Sequence, residues 1–501
     1  MVQGTASSVG KSVLVTALCR IFYQDGYKVA PFKSQNMALN SFVTRDGGEI
    51  GRAQAVQAEA AGIEPTVDMN PILLKPEADA KSQVIVLGKV AETLKASQYY
   101  DHTPRLLRIV EESLTRLRSS YDIVVIEGAG SPVEVNLKDR EIVNMRIARM
   151  ANAPVLLVGD IDRGGVFASI IGTMELLDQE ERDLVKGFII NKFRGDLALL
   201  KPGLDFLEKK TDRPVLGVIP YFRNIRIAQE DSVYLDERQA APNTGVDIAV
   251  IRLPHIANYD DFDPLEEAGC SVRYVTVLSE LGNPDLIILP GTKSTIADLV
   301  YLRQQGLVQA ILQQAKAGTP VIGICGGYQM LGKTINDPYQ VESPEIVTAG
   351  LGLLNVETSF SRAKTTTQVK AMVVADRGLF AGLNGIEIIG YEIHMGQTRS
   401  QNHPPVFQIL APQGEVNVSD GAVAADGLVF GSYVHGLFHN TRFTQALLNR
   451  LCQIRGKSVA ATSANNKDKQ YDELAKLVRE SLDMRQLYKI VMEKEYDGKN
   501  K

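Results

Sequence analysis

Met1-Val-Gln-Gly-Thr-Ala-Ser-Ser-Val-Gly-Lys-Ser12 leads from a short apolar run into a glycine-bearing loop, and an apolar helical pattern follows over Val13 to Phe22. Glycines at 4 and 10 let the backbone turn its N–H groups inward, the helix N-terminus adds positive potential, and Lys11 reaches toward outer phosphates. This is the layout of a phosphate-binding loop, with Gly4, Thr5, Gly10, Lys11 and Ser12 as nucleotide-binding residues. Ser12 is also the expected ligand of the Mg²⁺ that travels with the nucleotide. The competing reading, an accidental glycine-rich turn, has Gly-Lys-Ser and the following helix against it. Five residues, not the usual four, separate Gly4 from Gly10. The strand ahead of the loop is short, which costs stability and raises the question of an upstream start.

Outward from the loop, apolar β-formers recur at intervals that suit a buried parallel sheet. Lys28-Val-Ala-Pro-Phe-Lys33 reads as a second strand and opens into the polar stretch Ser34-Gln-Asn-Met-Ala-Leu-Asn-Ser41. Asp122-Ile-Val-Val-Ile-Glu127 is a stronger strand, and Glu127 at its C-terminal end suits Mg²⁺ or its water. Ala153 to Asp162, Lys186 to Lys192 and Val215 to Pro220 repeat the pattern. Asn191, at the end of its strand, is a candidate to read a purine edge. Arg194 stands where a guanine-specific pattern needs Asp, so ATP is favoured over GTP. Strand–helix alternation through about residue 235 predicts a doubly wound α/β domain with a parallel sheet. Between Asn136 and Asn144, Asp139 and Glu141 are weighed evenly as metal or substrate acids and as charges that complement a helix start.

Asp236 to Gly245 is a polar, Pro- and Gly-containing break and the expected domain boundary. Beyond it, Asp285 to Lys293 is a buried strand ending in a Gly turn at Gly291, and Pro320-Val-Ile-Gly-Ile-Cys-Gly-Gly-Tyr-Gln-Met-Leu331 follows. Cys325 there sits at a strand-to-helix turn among small residues. Such a turn lifts a thiol off the sheet and gives it a helix N-terminus and nearby N–H groups for an oxyanion. Cys19, Cys270 and Cys452 read as inert core thiols. A base should be one of six histidines. His435, in Val429-Phe-Gly-Ser-Tyr-Val-His-Gly-Leu-Phe438, follows an apolar strand. His439 reads as a surface helix residue, His394 as facing a ligand, and His102, His255 and His403 have no comparable setting. Past residue 460, a polar stretch precedes an amphipathic helix with Leu474, Leu477, Val478, Leu482 and Leu487 on one side, expected to pack back on the body. The last residues, Lys499 to Lys501, read as a disordered tail.

Length and composition bound the answer. A chain of 501 residues exceeds one ordinary core and suggests two to four domains. A net charge of −5 argues against nucleic acid as a partner, because no basic excess exists to neutralise phosphates. No apolar run approaches a membrane span, and the start carries no secretory pattern. The four cysteines lie far apart, which reads as reduced thiols and a cytoplasmic protein. Oligomeric state is not legible.

These motifs resemble a known family. Gly323-Ile-Cys-Gly-Gly-Tyr-Gln-Met330 and Tyr433-Val-His-Gly-Leu-Phe438 resemble the Triad branch of class I glutamine amidotransferases, and the variant phosphate loop resembles the dethiobiotin synthetase-like amidoligases. Their combination with Pro31 to Ser41 and Tyr391-Glu-Ile-His-Met-Gly396 is similar to the cobyric acid synthase family, over essentially the whole chain. The resemblance implies two doubly wound α/β domains, over 1–238 and 246–455, and a helical tail over 466–501. It implies amidation of carboxylates b, d, e and g of adenosylcobyrinic acid a,c-diamide, using ATP, Mg²⁺ and L-glutamine. Cys325 and His435 would be catalytic, Gly291 and Gly326 would supply the oxyanion hole, and Gln35, Asn36, Asp139, Glu141, Tyr391 and His394 would face substrate. Class I amidotransferases carry an acid two residues after the histidine. Leu437 stands there, so the group that orients His435 is left open. The nearest rival, cobyrinic acid a,c-diamide synthase, shares the chemistry on earlier carboxylates. A partitioning ATPase fused to a degenerate module is opposed by the presence of both Cys325 and His435.

Overall fold

The computed structural model describes the chain except residues 78–80, 96–98, 100, 101, 139, 223, 224, 226, 228–244, 411–417, 459–466 and 493–501. The expected boundary over 236–244, the polar stretch before the tail helix and Lys499 to Lys501 lie outside the described residues, as does Asp139.

In the first half, parallel strands Val2–Gly4, Val155–Asp160, Val185–Phe193 and Val215–Pro220 lie side by side in that order. Strands Val29–Phe32 and Ile123–Ile126 pair in parallel beside them, joined through a bridge from Val2 to Glu127. The short first strand is anchored on both sides, since the Met1 ammonium also donates to the Pro154 carbonyl at 2.7 Å. Most residues of these strands are buried, and the inner strands Val155–Asp160 and Val29–Phe32 nearly throughout, which fits their continuous apolar runs. A side sheet of Gln35–Met37, Ile72–Pro76, Lys81–Val86 and Lys89–Lys95 leaves this layer and faces the second half.

In the second half, Ser271–Val275, Asp247–Ile251, Leu286–Leu289, Val321–Ile324 and Val429–Ser432 form a parallel sheet, with Ala422–Val423 antiparallel at its edge. A long antiparallel ribbon, Val356–Val373 against Glu387–Ser400, stands over its C-terminal end, and the pairing breaks between Phe360 and Thr365.

The amphipathic tail is two helices, Lys467–Ser481 and Met484–Met492. Leu474, Val478, Leu482 and Leu487 are buried in the core of the phosphate-loop half, while Leu477 is only half-buried. Arg20 on the loop helix (Lys11–Gln24) pairs with Asp468 and Asp472, and Arg479 pairs with Asp25. The second half is thus inserted between two parts of the first.

Candidate active site

The phosphate loop ends at Gly10, whose φ of 98° only glycine adopts freely. A Cβ there would stand 2.2 Å from Nδ2 of Asn191, whose amide donates to the Val9 carbonyl at 2.8 Å. Asn191 therefore braces the loop, and that N–H is spent on the backbone instead of on a base edge. Lys11 curls over the loop and donates to the carbonyls of Ala6 and Gly130, while the Thr5 N–H donates to Val158. Ser12 donates to Glu127 Oε1 at 2.8 Å. Burial alone would raise the Glu127 pKa, but Lys33 at 3.0 Å, the Gln57 amide and Ser12 outweigh it and hold the carboxylate ionised. A hydroxyl and an ionised carboxylate side by side at a phosphate loop are hard oxygen donors, and they fit Mg²⁺ completed by phosphate oxygens and water.

Cys325 joins Val321–Ile324 to the helix Gly326–Leu331 with φ 51° and ψ −108°, a left-handed conformation that costs a non-glycine residue about 1–3 kcal/mol. The turn survives because its neighbours are packed tight: a Cβ on Gly327 would meet the Leu289 carbonyl oxygen at 2.0 Å. The thiol donates to the Ile393 carbonyl at 3.4 Å, and His435 is its hydrogen-bonding neighbour. Gly326 lines the thiol's cleft and lies against Thr292, and Gly291 lies against the His435 ring.

His435 is oriented by Asp261, whose Oδ2 lies 2.7 Å from Nδ1 and whose Oδ1 accepts the Gly436 N–H at 2.8 Å. Burial would lower the histidine pKa, yet Asp261 and Cys325 raise it to about 10. Sequence reasoning missed Asp261. The one available signal was Asp260-Asp261 inside Asn258-Tyr-Asp-Asp-Phe262, two acids that turn out to be fully buried.

Gln35 accepts from Tyr99 and Asn36 donates to Gln54, both in the phosphate-loop half. His394 sits apart from them, lining the thiol's cleft, and Tyr391 is buried behind it against Phe42 and Val43. Tyr391 stacks on His435, and His394 stacks on Tyr433 with its Nδ1 bonded to Gly396 O. His394 Nε2 makes no hydrogen bond among the described residues, and Glu392 Oε2 lies 3.8 Å from it. Glu141 accepts three backbone N–H groups, from Val143, Asn144 and Arg146, which places its charge at the start of the helix Met145–Ala151, one of the two readings weighed for it. His439 is a correction. It ends a short 3₁₀ turn with Asp260 at 4.0 Å, not a surface helix, and burial with Lys467 and Arg52 nearby lowers its pKa. His255, passed over, accepts the hydroxyl of the cleft residue Thr292 on its carbonyl and pairs with Asp298 at 2.7 Å. Cys19 and Cys270 are buried, which pushes both thiols far from ionisation.

The cleft is shared. Lys75 and Gln83 of the side sheet line it together with Cys325 and Lys364, and Glu49 pairs with both lysines across the boundary. Residues 1–233 match the family described as CobQ/CobB/MinD/ParA nucleotide binding domain, and 247–443 match the CobB/CobQ-like glutamine amidotransferase domain. Over 495 residues the chain is 60% identical to the cobyric acid synthase of Dehalococcoides mccartyi (strain CBDB1), covering 98% of each. The chain belongs to the cobyric acid synthase family. Relatives of that name from Sorangium cellulosum and Caldanaerobacter subterraneus are 55% and 52% identical, again over 98% of each chain. Like other cobyric acid synthases it is a glutamine-hydrolysing ligase, with a nucleotide-binding half and an amidotransferase half. No helix among the described residues is long and apolar enough to cross a membrane.

Proposed function

We propose that the chain amidates carboxylates b, d, e and g of adenosylcobyrinic acid a,c-diamide, using ATP and L-glutamine, to give adenosylcobyric acid in cobalamin biosynthesis. The supporting observation is the cleft itself, in which a Cys325–His435–Asp261 relay faces Lys75 and Gln83 of the half that carries the phosphate loop. The same reading assigns 1–238 and 246–455 to the two catalytic units and 466–501 to the tail.

In the amidotransferase half, the Cys325 sulfur attacks the glutamine carboxamide carbon. The developing oxyanion is met by the N–H groups of Gly291 and Gly326. His435 gives its proton to the departing nitrogen, ammonia leaves, and a thioester remains; His435 then takes a proton from the water that hydrolyses it to glutamate. Asp261 keeps Nδ1 protonated and stabilises the imidazolium. Tyr391 and His394 shape the glutamine pocket. In the other half, Gly4, Thr5, Gly10, Lys11 and Ser12 hold the ATP phosphates, with Asn191 supporting the loop. Ser12 and Glu127 would hold Mg²⁺, which when bound would supply charge neutralisation. A substrate carboxylate oxygen attacks the γ-phosphorus, ADP leaves, and ammonia displaces phosphate from the acyl phosphate to form the amide. Gln35 and Asn36 border that site.

The test is the mass of the corrinoid after incubation with adenosylcobyrinic acid a,c-diamide, ATP, Mg²⁺ and glutamine. Four successive carboxylate-to-amide shifts are expected, abolished by Lys11→Ala and rescued by ammonia in Cys325→Ser. An unchanged mass from folded protein that turns over ATP overturns the assignment, and unamidated cobyrinic acid is then the substrate to offer.

A further inference from the structure

On one wall of the cleft that holds Cys325, Lys75 of the side sheet and Lys364 of the ribbon share a single acid, Glu49. Lys75 Nζ donates to Glu49 Oε1 at 2.7 Å and to Ser41 Oγ at 3.0 Å. Lys364 Nζ donates to Glu49 Oε2 and, at 3.0 Å, to Gln83 Oε1. An ammonium has three N–H groups, so each lysine keeps one for another acceptor. The Lys75, Lys364 and Glu49 side chains are only 4%, 10% and 1% exposed. Two desolvated cations therefore face one anion, and one positive charge is left over. Lys364 reaches this wall from the break in ribbon pairing between Phe360 and Thr365.

Glu342 lines the same cleft with the opposite charge. It is half-buried at the start of the helix Thr295–Gln304, where its Oε2 accepts the Ile296 N–H at 3.4 Å. No described lysine or arginine forms an ion pair with it. Lys293, the cation that acts on it, is engaged by Glu77 at 2.6 Å, and Asp337 nearby adds a like charge. Burial pushes the Glu342 pKa up to about 7, because Lys293 and the N–H groups of Ile296 and Thr295 do not offset it. Burial likewise pushes Lys364 down to about 8 despite Glu49. The acid is tied to the thiol's helix. Thr295 Oγ1 donates to Gln329 Oε1 at 2.8 Å, and the Gln329 N–H donates to the Cys325 carbonyl at 3.1 Å. A charge held away from water without a counter-charge is costly. One of each sign in a single cleft calls for a ligand that supplies both counter-charges.

We propose that Glu342 and Lys364 are the specificity residues for the α-amino acid end of glutamine. Glu342 takes the α-ammonium, and Lys364, backed by Lys75, takes the α-carboxylate, while the carboxamide carbon reaches Cys325 Sγ. The proposal rests on glutamine hydrolysis as given above and adds which group reads which end of the substrate. L-Glutamine is a zwitterion at neutral pH. It brings the anion that the lysine pair lacks and the cation that Glu342 lacks, so its binding leaves neither wall with a bare charge. Lys75 and Gln83 belong to the half that carries the phosphate loop, and the amino-acid pocket is thus completed from outside the amidotransferase half.

The experiment uses the full chain, with ATP, Mg²⁺ and the corrinoid present, and three amides. L-Glutamine is compared with 4-carbamoylbutanoate, which lacks the α-ammonium, and with 4-aminobutanamide, which lacks the α-carboxylate. Mass spectrometry of the acid formed from each gives kcat/KM, and circular dichroism checks folding. The native chain should prefer glutamine over each analogue by about 10- to 100-fold, the worth of one charge-assisted hydrogen bond. Glu342→Gln should lose the preference over 4-carbamoylbutanoate alone. Lys364→Met, which leaves Glu49 paired with Lys75, should lose the preference over 4-aminobutanamide alone. A general distortion would instead lower all three rates together. Where a neutral variant does not fold, Glu342→Asp or Lys364→Arg takes its place. Each keeps the charge but displaces it and should lower the matching preference several-fold, and native preferences there overturn the proposal. Native indifference to the missing group in either analogue, or variants whose two preferences stay native or fall together, also overturns it and leaves the proposed function standing. A folded native chain that does not hydrolyse glutamine overturns the proposed function instead.

Discussion

Asp261 and His435 are 174 residues apart in the chain and 2.7 Å apart in the fold, and both are buried. The carboxylate comes from the turn after the first strand of the second half, a different place from the acid that follows the histidine in ordinary class I amidotransferases. Asp261→Asn should keep the packing but lose the fixed tautomer and the charge that stabilises imidazolium. Glutaminase kcat should fall by about 10²-fold or more, by analogy with the loss of the orienting acid in serine proteases. Ammonia-dependent amidation should persist, and a steady-state comparison of the two nitrogen sources reads the difference.

The same substitution has a pH signature. Asp261 raises the His435 pKa to about 10 by favouring the charged ring. Removing the carboxylate lets the proton leave at lower pH. A raised pKa contributes stability below the ordinary histidine value near 6.5, lost as pH climbs toward 10. The alkaline limb of the glutaminase profile should therefore move down in Asp261→Asn, and a profile from pH 6 to 10 that superimposes on the native one would contradict the pairing.

His394 lines the cleft, and its Nε2 makes no hydrogen bond among the described residues, with Glu392 3.8 Å away. Replacing it by Leu should raise the glutamine KM by about tenfold, the size of one hydrogen bond in a desolvated pocket. Ammonia KM should not change, and initial rates at varied glutamine and varied ammonia separate the two.

Gly327 has no space for a methyl group, since its Cβ would sit 2.0 Å from a backbone oxygen. Gly327→Ala should destabilise the second half by about 1–3 kcal/mol or more through forced backbone shifts. Calorimetry should show that loss, and activity with ammonia at low temperature should be spared.

Leu474 is fully buried in the phosphate-loop core although it lies near the end of the chain. Leu474→Ala should cost about 2–5 kcal/mol and weaken the first half, not the second. Hydrogen exchange should quicken in the helix Lys11–Gln24 and stay slow in Val321–Ile324.

Sequence alone made legible whatever is written locally. The phosphate loop, the apolar strands with Glu127 at a strand end, and the strained turn at Cys325 each depend on a short run of residues. Asp261 and the shared cleft depend on segments that meet only after folding, so no periodicity announces them. Glu141 could be read two ways because an acid before a helix and an acid before a ligand look the same until its hydrogen bonds are counted. The tail was legible as amphipathic, yet its break at Leu482 was not. That residue bridges to Gly217, and tertiary pairing with the strand Val215–Pro220 overrides the helical pattern there.

The contact between Arg20 and Asp472 spans 452 residues, with the entire amidotransferase half synthesised between them. A ribosome adding about 5–20 residues each second needs roughly 20–90 s to cover that distance. Throughout that interval the nascent phosphate-loop half exposes the apolar surface that Leu474, Val478 and Leu482 later cover. Its maturation is thereby timed by translation of the partner catalytic unit, so a truncated message yields an aggregation-prone fragment and no free-standing ATPase.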